Sequence, residues 1–324
     1  MRVLVTGGAG YIGSVIVEEL IRAGHETTVY DSLARGHSDA VHPDATLVSG
    51  MVQDRALLTA TLRERSIEAV IHMSAFIEVG ESITKPEMYF QNNVVGSLEV
   101  LQALIDVGVK KFVFYSTAAL YGNPEKLPIS ETDPLRPTNP YGQSKFITEQ
   151  MLAWIAQAHG ITATSLRYFN AAGASERNGE VHTPESHLIP IVLSAAETGS
   201  VLHINGTDYP TKDGTTVRDY VHVVDLAQAH LLALGRTAPG LEIYNVGYGN
   251  GRSIREVLDA VQRVTGRTLQ VVEGPRRPGD QIATVASSEK IRTQLGWQPR
   301  YDDLDTIIGS AWRWRQSHPN GYAR

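Results

Sequence analysis

The sequence predicts an α/β protein in which a doubly wound parallel sheet is joined to a smaller α/β lobe. The first observation is that apolar, strand-like stretches alternate with helical patterns, at about residues 2 to 6, 27 to 31, 46 to 49, 69 to 73, 111 to 117 and 162 to 168. Strands that alternate with helices lie parallel, because each helix carries the chain back to the starting edge of the sheet. The second observation is a glycine-rich turn directly after the first of these strands.

The glycine-rich turn follows the strand Arg2 to Thr6 and precedes an amphipathic helix from about Ile12 to Arg22. Its glycines are Gly7, Gly10 and Gly13, with the spacing GxxGxxG rather than GxGxxG. Such glycines allow a sharp turn, the close approach of a pyrophosphate and tight packing of the helix on its strand. The helix N-terminus also offers unpaired amides to phosphate oxygens. The unit therefore predicts a dinucleotide site, and a plain flexible turn is the alternative.

The second predicted strand ends in an acidic residue, Asp31. A carboxylate at this place hydrogen-bonds the hydroxyls of an adenosine ribose and repels a 2′-phosphate. Asp31 therefore favours NAD over NADP as the cofactor. The alternative is an acidic residue that only starts a solvated turn.

A tyrosine and a lysine four residues apart, Tyr141 and Lys145, lie near the start of a predicted helix. Asn139 suits the N-cap and Pro140 suits the first helical position, so the helix begins here and the two side chains share one face. A free phenol has a pKa of about 10, and a nearby ammonium favours its phenolate. We therefore expect Lys145 to lower the pKa of Tyr141 and make it a general base. A surface Tyr beside a surface Lys is the alternative.

A hydroxyl follows the strand Lys111 to Ser116, at Thr117. The carboxyl end of a parallel strand lies at the ligand edge of the sheet. Thr117 can therefore hydrogen-bond a substrate hydroxyl there and relay its proton to Tyr141. A helix cap or a turn residue is the alternative for a lone threonine.

Composition restricts the class of protein further. The chain has 324 residues, of which 42% are hydrophobic, and a net charge of −6, which argues against broad binding to nucleic acids or anionic membranes. It has no cysteine, so disulfides and thiolate metal sites are excluded, and the eleven histidines show no ligand spacing, so we expect no metal. No apolar run approaches the roughly 20 residues that span a bilayer. Because the first strand begins at the N-terminus with no signal peptide, we expect a cytoplasmic protein.

With these motifs in this order, the chain resembles the extended short-chain dehydrogenase/reductases over essentially its full length. Within that superfamily it is similar to the UDP-glucose 4-epimerases, on the segments Val79-Gly80-Glu81-Ser82, Tyr168-Phe169-Asn170 and the run from Asp208 to Asp225. The sugar-nucleotide 4,6-dehydratases carry an acidic residue just after the catalytic Ser or Thr, where this chain has Ala118 and Ala119. The resemblance therefore implies a Rossmann fold and epimerisation rather than dehydration.

The resemblance also implies which residues form the site. The implied catalytic residues are Tyr141, Lys145 and Thr117. The implied NAD-binding residues are Gly7, Gly10, Tyr11, Ile12, Gly13, Asp31, Ser32, Met73, Asn92, Tyr141, Lys145 and Tyr168. The implied substrate-binding residues are Thr117, Asn170, His187, Leu188, Arg218, Arg277 and Asp280. Arginine forks match a diphosphate geometrically, and a solvated loop charge is the alternative for each arginine.

The chain divides, on this view, into an NAD-binding Rossmann domain at residues 1–170 and a mainly UDP-sugar-binding lobe at 171–324. A polar stretch with Gly and Pro, from Gly173 to Pro184, marks the crossing, and the resemblance implies that a strand near 242–246 rejoins the first sheet. It further implies a homodimer, formed through paired helices such as the one predicted from Met88 to Val107.

Four positions depart from the family or vary within it, and the first is His187, which stands where relatives often have an Asn. Met51 replaces an Asp that reaches the adenine amino group, and Ile77 stands where some relatives have a phosphate-binding Lys, so we expect NAD to be held less tightly or by backbone contacts. Thr284 aligns with a position where side-chain bulk limits the room at C2 of the sugar. The small threonine predicts that N-acetylated hexoses are also accepted.

The implied reaction starts with removal of the proton of the sugar 4-hydroxyl by Tyr141, directly or through Thr117. Hydride moves from C4 to bound NAD, and the 4-keto sugar turns over before the hydride returns, so that UDP-galactose and UDP-glucose interconvert. A 4-epimerase of another UDP sugar, a pentose or a uronic acid, stays open. A non-catalytic NAD-sensing module that binds a protein partner is a remote alternative, because it has no need of the three catalytic residues.

Overall fold

The computed structural model describes residues 1–277 and 279–322. Its strands are β1 Arg2–Thr6, β2 Glu26–Asp31, β3 Thr46–Ser49, β4 Ala69–His72, β5 Lys111–Thr117, β6 Thr162–Tyr168, β7 Asn170–Ala172, β8 Val201–Asn205, β9 Val217–His222, β10 Gly240–Val246, β11 Gly251–Ser253, β12 Gln270–Gly274 and β13 Ala283–Thr284. Its α-helices are α1 Tyr11–Arg22, α2 Arg55–Glu64, α3 Val79–Thr84, α4 Pro86–Tyr89, α5 Gly96–Val107, α6 Pro140–His159, α7 Leu188–Thr198, α8 Val223–Leu234, α9 Ile254–Thr265, α10 Glu289–Leu295 and α11 Leu304–Ser317.

The largest sheet has seven parallel strands in the order β10-β6-β5-β4-β1-β2-β3. The predicted doubly wound parallel sheet is therefore confirmed, and each of the six predicted strands lies within one residue of its predicted bounds. β1 pairs with β2 on one side and with β4 on the other. The strand order reverses at this point, and a crevice for ligands opens at the carboxyl ends of such strands.

Both faces of the large sheet are covered. Side chains alternate along a strand, so Val3 and Val5 of β1 belong to one apolar cluster, which includes α1 and α8, while Leu4 belongs to a second cluster with α2 and α5. All three side chains are fully buried. Burial on both faces explains why β1 and β4 are largely apolar, whereas β2 and β6 also carry buried polar side chains.

The chain leaves the large sheet directly after β6. β7 pairs with β9 in a second sheet that also contains β11 and β13, and β8 and β12 form a separate parallel pair. The chain then returns, because α8 packs on α1 and β10 lies beside β6 at the edge of the large sheet.

The helix predicted from Met88 to Val107 is interrupted. α4 and α5 are separated by six residues of π-helical turn, Phe90–Val95, which carry Asn92 and Asn93. A π-helical turn inserts an extra residue into the helix and shifts which side chains face the core. In the described ranges no helix is long and apolar enough to cross a membrane.

Candidate active site

The glycine turn joins β1 to α1 at the reversal of strand order. Gly7 has a positive φ of 70°, and a Cβ there would lie 2.7 Å from the amide nitrogen of Ser74. A Cβ on Gly13 would lie 2.1 Å from the carbonyl oxygen of Gly7. These two positions therefore require glycine, one for the turn and one for the packing of α1. Gly10 is the N-cap of α1 and supplies no side-chain cap, so the first amides of the helix are free for an anion.

Asp31 lies at the end of β2, beside this turn. Its carboxylate accepts hydrogen bonds from the amides of Ala9, at 3.0 Å, and Leu33, at 2.8 Å. Burial raises the pKa of Asp31, while these two amides act in the opposite direction. Asp31 thus stabilises the glycine turn, a role that its position in the sequence did not predict. It also stands at the end of β2, where this fold binds the ribose of a dinucleotide.

The other predicted cofactor residues of this region have different surroundings. Tyr11 begins α1, and its hydroxyl donates to the carbonyl of Gly173 at 2.6 Å. Ile12 packs against the larger apolar cluster, and Ser32 is exposed. Met73, directly after β4, is buried, and its amide donates to the carbonyl of Thr6. The glycines, free amides and adjoining carboxylate fit a dinucleotide.

Of the two neighbouring asparagines in the π-helical turn, Asn93 is the buried one. Its side chain bonds both the amide and the carbonyl of Phe76, at 2.9 and 3.0 Å, and the hydroxyl of Ser144 at 3.0 Å. Asn92 is only partly buried and bonds Gln53 and Asn93. Asn93, which the sequence reading did not select, therefore connects the loop after β4 to α6.

Tyr141 and Lys145 lie in the first turns of α6, which begins as predicted with Asn139 as N-cap and Pro140 at its first position. Their exposed fractions are only 5% and 2%. Thr117, at the end of β5, is also buried, and its hydroxyl oxygen accepts from the amide of Ala119 at 3.2 Å. Thr117 hydrogen-bonds Tyr141. Lys145 is linked to Tyr141 through Tyr115, whose carbonyl accepts from Lys145 and whose hydroxyl lies beside that of Tyr141.

The predicted effect of Lys145 on Tyr141 needs correction. Burial raises the pKa of Tyr141, while hydrogen bonding from Tyr115 and Thr117 acts in the opposite direction. Burial also lowers the pKa of Lys145 to about 7, and its Nζ donates to the main-chain carbonyl of Tyr115 at 2.9 Å. Desolvation is therefore the largest influence on the pKa of each of the two side chains.

Tyr115 is a site residue that the sequence reading missed. Its hydroxyl is 2.6 Å from the hydroxyl of Tyr141, its ring stacks on Tyr168 with centroids 4.9 Å apart, and Nζ of Lys145 lies 4.0 Å from its centroid. The signal was available, because Tyr115 lies two residues before Thr117 on one strand and so on the same face. Tyr168 is buried, and its hydroxyl hydrogen-bonds His230.

The arginines predicted to bind substrate lie in the second region. Arg218 is on β9, and its guanidinium donates to the carbonyl of Val217 at 2.8 Å. Burial lowers its pKa, and Asp280 and Arg277 are close enough to act on it. Arg277 pairs with Asp280 at 2.7 Å, and the side chain of Arg277 is 66% exposed. Asn170 is partly buried on β7.

Arg277 and Asp280 line an open cleft of about 750 Å³. Tyr209, Arg276 and the 123–127 loop complete its walls, whereas the catalytic candidates are not among the lining residues. Arg276 is held by its own partners, an ion pair with Asp208 at 2.7 Å and the face of Tyr209. Of the two adjacent arginines, Arg277 is therefore the one better placed to meet a ligand.

His187 is the N-cap of α7 and Leu188 its first residue. Nδ1 of His187 lies 2.6 Å from Oε1 of Glu180. Burial lowers the pKa of His187, but the attraction of Glu180 is stronger and holds it well above the ordinary range; Glu180 in turn has a pKa of about 2. His187 thus belongs to a cluster of ionisable side chains that also includes Glu180, His182 and Glu185. The sequence analysis did not identify this cluster.

The positions that depart from the family or vary within it have different surroundings. Met51 is exposed, and Ile77 packs against the larger apolar cluster. Thr284 is buried on β13 and pairs with Arg218 of β9, while its neighbour Ala283 lines the cleft.

A glycine turn on the first strand of a seven-stranded parallel sheet, with an acidic residue ending the second, defines a Rossmann-type dinucleotide-binding protein. A model of the NAD dependent epimerase/dehydratase family matches residues 3–247, and the chain belongs to that family. Its cofactor is accordingly NAD.

Named relatives agree with the family assignment. The UDP-glucose 4-epimerase of Lacticaseibacillus casei is 48% identical over 327 residues, which is 99% of this chain and 99% of the relative. A crystal structure of UDP-glucose 4-epimerase from Brucella ovis in complex with NAD superposes with a TM-score of 0.93 at 43% identity, covering 97% of this chain and 98% of the other. The enzyme from Bifidobacterium longum, in complex with NAD⁺ and UDP, has a TM-score of 0.93 at 36% identity over 99% and 100% of the chains.

Proposed function

We propose that this protein interconverts UDP-galactose and UDP-glucose through a 4-keto intermediate, as the names of its relatives suggest. The observation that carries the proposal is the buried hydroxyl of Tyr141, which lies next to Thr117 and one helical turn from Lys145 at the carboxyl edge of the sheet. A general base in these surroundings is suited to remove the proton of a sugar hydroxyl as that hydroxyl is oxidised.

The proposed roles follow from these positions. Tyr141 accepts the proton of the sugar 4-hydroxyl, directly or through the hydroxyl of Thr117. NAD, when bound, supplies the acceptor and donor of hydride at C4. Lys145 lies on the same face of α6 as Tyr141 and orients the main chain of Tyr115 through its 2.9 Å hydrogen bond. The raised pKa of Tyr141 means that further positive charge, from Lys145 or the cofactor, has to favour its ionisation.

The second region is proposed to hold the nucleotide. Arg218 and Arg277 would bind the diphosphate, and Asp280 a ribose or neighbouring hydroxyl, with Asn170, His187 and Leu188 completing the uridine diphosphate site. Firm binding of this part leaves the sugar free to turn, which the reaction requires because hydride must return to the opposite face. The exposure of Arg277 at an open cleft supports these two separate roles.

We also infer the organisation around the site. Residues 1–170 with β10 would form the NAD-binding domain and most of 171–324 the substrate lobe. A homodimer through α5 and α6 is supported by Trp154 of α6, which is 75% exposed. Equilibrium sedimentation of wild type and Trp154→Glu tests the homodimer, and a wild-type monomer would contradict it. A cytoplasmic location and a part in galactose metabolism stay predictions.

A second candidate is activity on N-acetylated hexoses. Thr284, small and paired with Arg218 next to the cleft, supports it. A UDP pentose or uronic acid as the main substrate is a further alternative within the same chemistry. The lack of an acidic side chain at Ala118 and Ala119 speaks against dehydration.

The first experiment incubates purified protein with UDP-galactose, without and with added NAD, and follows UDP-glucose by chromatography. UDP-N-acetylgalactosamine, UDP-xylose and UDP-glucuronic acid are compared at equal concentration. Conversion of UDP-galactose at the highest kcat/KM supports the proposal. Failure to convert it with NAD present, together with turnover of another UDP sugar, would overturn the choice of substrate. No turnover of any of them would overturn the proposed chemistry.

A further inference from the structure

A cluster of ionisable side chains lies in the segment between β7 and α7, outside the catalytic residues, and one of its members, His187, is also proposed above to contact the uridine diphosphate. We name it the Glu/His cluster, and its members are Glu180, His182, Glu185 and His187. One ligand atom from each member lies within 4.8 Å of the corresponding atoms of the other three. Nitrogen from two histidines and oxygen from two glutamates form a donor set that Zn²⁺ accepts.

The distances within the cluster are close to those around a tetrahedral ion. Oε1 of Glu180 lies 3.2 Å from Nδ1 of His182 and 2.6 Å from Nδ1 of His187. Oε1 of Glu185 lies 3.6 Å from the same nitrogen of His187. Ligand atoms bound to Zn²⁺ at about 2.0 to 2.2 Å are about 3.3 to 3.6 Å apart. These contacts lie on both sides of that range, and the four ligand atoms are all within 4.8 Å of one another, so side-chain adjustment could place them around one ion.

The histidine nitrogens provide an independent observation. Nδ1 of His182 and Nδ1 of His187 are both buried, and neither has a hydrogen bond of acceptable geometry. Their contacts with Glu180 are ion-pair contacts, and the side chain of His187 as a whole is 40% exposed. A buried polar atom without a partner calls for an explanation, and an ion between the side chains is one. The side chain of Glu180, which faces both nitrogens, is only 8% exposed.

The charges also suit a cation. Glu180 and Glu185 bring two negative charges together, and within residues 1–277 and 279–322 their ion pairs are with histidines, not with Lys or Arg. Metal binding requires neutral imidazoles, so the ion would displace the proton that Glu180 favours on His187, and the resulting group with two carboxylates would be neutral. The carboxylate of Glu185 is already oriented by the amides of Ser186 and His187, at 2.8 and 2.9 Å.

We propose that the Glu/His cluster binds one divalent transition-metal ion, with Zn²⁺ as the first choice. Four protein ligands close the coordination shell, which is typical of a structural site and not of a catalytic one. The ring of His182 meets the ring of Tyr11 edge-on, with centroids 6.4 Å apart. The ion would therefore brace the segment before α7 against the start of α1, next to the glycine turn.

The test uses the full-length chain without an affinity tag, stripped with a chelator and dialysed. Calorimetric titration with ZnCl₂ should give one ion per chain, and elemental analysis of the reloaded protein should give the same ratio. Zn²⁺ should raise Tm, whereas Mg²⁺ at equal concentration should not, because it prefers oxygen ligands. Loss of one direct ligand, in His182→Ala, should weaken Zn²⁺ binding by more than the roughly 10- to 100-fold typical of an outer-shell partner.

Two further variants keep the result interpretable. Glu185→Gln changes charge with little change in shape, so it should fold even if His182→Ala does not, and it should also bind Zn²⁺ more weakly. His203→Ala removes an exposed histidine on β8 and should leave binding unchanged. Absence of stoichiometric Zn²⁺ in wild type, or equal binding by wild type and Glu185→Gln, would overturn the proposal and leave a cluster of ion pairs. Because binding and Tm are read without substrate, this outcome is independent of the epimerase reaction.

Discussion

The two ends of the candidate active site are built differently. In the catalytic region, formed by Tyr115, Thr117, Tyr141 and Lys145, every side chain is buried. In the nucleotide region, formed by Arg218, Arg277 and Asp280, Arg277 is mostly exposed, pairs with Asp280 three residues further along the chain, and lines an open cleft. Proton transfer requires fixed groups in a dry site, whereas binding and release of a sugar nucleotide require charges that a ligand can reach. The comparison predicts that substitutions in the first region act mainly on kcat and those in the second mainly on KM.

The largest expected effect is that of Tyr141→Phe, which removes the proposed general base while keeping the ring. General acid–base groups contribute about 10² to 10⁴ in rate, so we expect kcat to fall by about 10³ with NAD content and Tm nearly unchanged. Steady-state assay, cofactor absorbance and thermal melting measure the three quantities. Turnover close to wild type would remove Tyr141 from the mechanism.

Arg277→Ala tests the other end of the comparison. Hydrogen bonds to charged groups are worth about 1.5 to 3 kcal/mol, so KM for UDP-galactose should rise by about 10- to 100-fold with kcat changed much less. Arg277→Lys keeps the charge but not the planar fork, so its KM should lie between the values for wild type and Arg277→Ala. Arg255→Ala removes an exposed arginine that pairs with Glu273 and serves as the control. A fall in kcat alone would contradict the division into two regions.

Low pH should lower the free energy of unfolding because buried histidines are neutral in the folded protein. Burial lowers the pKa of His72 to about 3 and that of His230 to about 4. Below the ordinary histidine pKa of about 6.5, the unfolded chain binds protons that the folded chain does not. The two neutral histidines therefore contribute their full stabilisation of the fold above that pH, and this contribution is lost as pH falls. Each histidine should lower the free energy of unfolding by about 2 kcal/mol between pH 7 and pH 5.

Urea unfolding at several pH values measures this loss. His72→Asn should flatten the pH dependence even if it lowers stability at pH 7, whereas His159→Asn, at the exposed end of α6, should leave the slope as in wild type. A slope that is the same in wild type and His72→Asn would show that His72 does not contribute.

The smallest expected effect is that of Tyr115→Phe. It removes a hydrogen bond of 2.6 Å to Tyr141 but keeps the ring that stacks on Tyr168. A net hydrogen bond of about 1 kcal/mol corresponds to a loss of about 5-fold in kcat. This bond acts to lower the pKa of Tyr141, so Tyr115→Phe should shift the dependence of kcat on pH to higher pH. That shift is the specific measurement. An unchanged pH profile would show that Tyr115 contributes only by packing.

Much of the site was predictable because its signals are local. The order of strands and helices follows from apolar periodicity, and the glycine turn follows from spacing alone. Tyr141 and Lys145 share a face of α6 because four residues make about one helical turn. The capping of α6 by Asn139 was also expected and observed. Each of these features depends on neighbours within one element.

The features that the sequence reading missed depend on contacts between elements. Asn93 joins the loop after β4 to α6 through Phe76 and Ser144, whereas the role of Asn92 at the cofactor stays a prediction. Tyr115 meets Tyr141 only because β5 packs on α6. The Glu/His cluster forms in a segment without regular structure, where no periodicity indicates which side chains converge.

The sequence by itself determined the class of fold, the dinucleotide turn and the order of the catalytic candidates, because turn geometry and helical or strand periodicity are properties of consecutive residues. Only the tertiary structure decided the direction of the pKa shifts of Tyr141 and Lys145 and the difference between the buried and open ends of the site. Desolvation depends on every atom packed around a group, and those atoms come from elements that are distant in the chain.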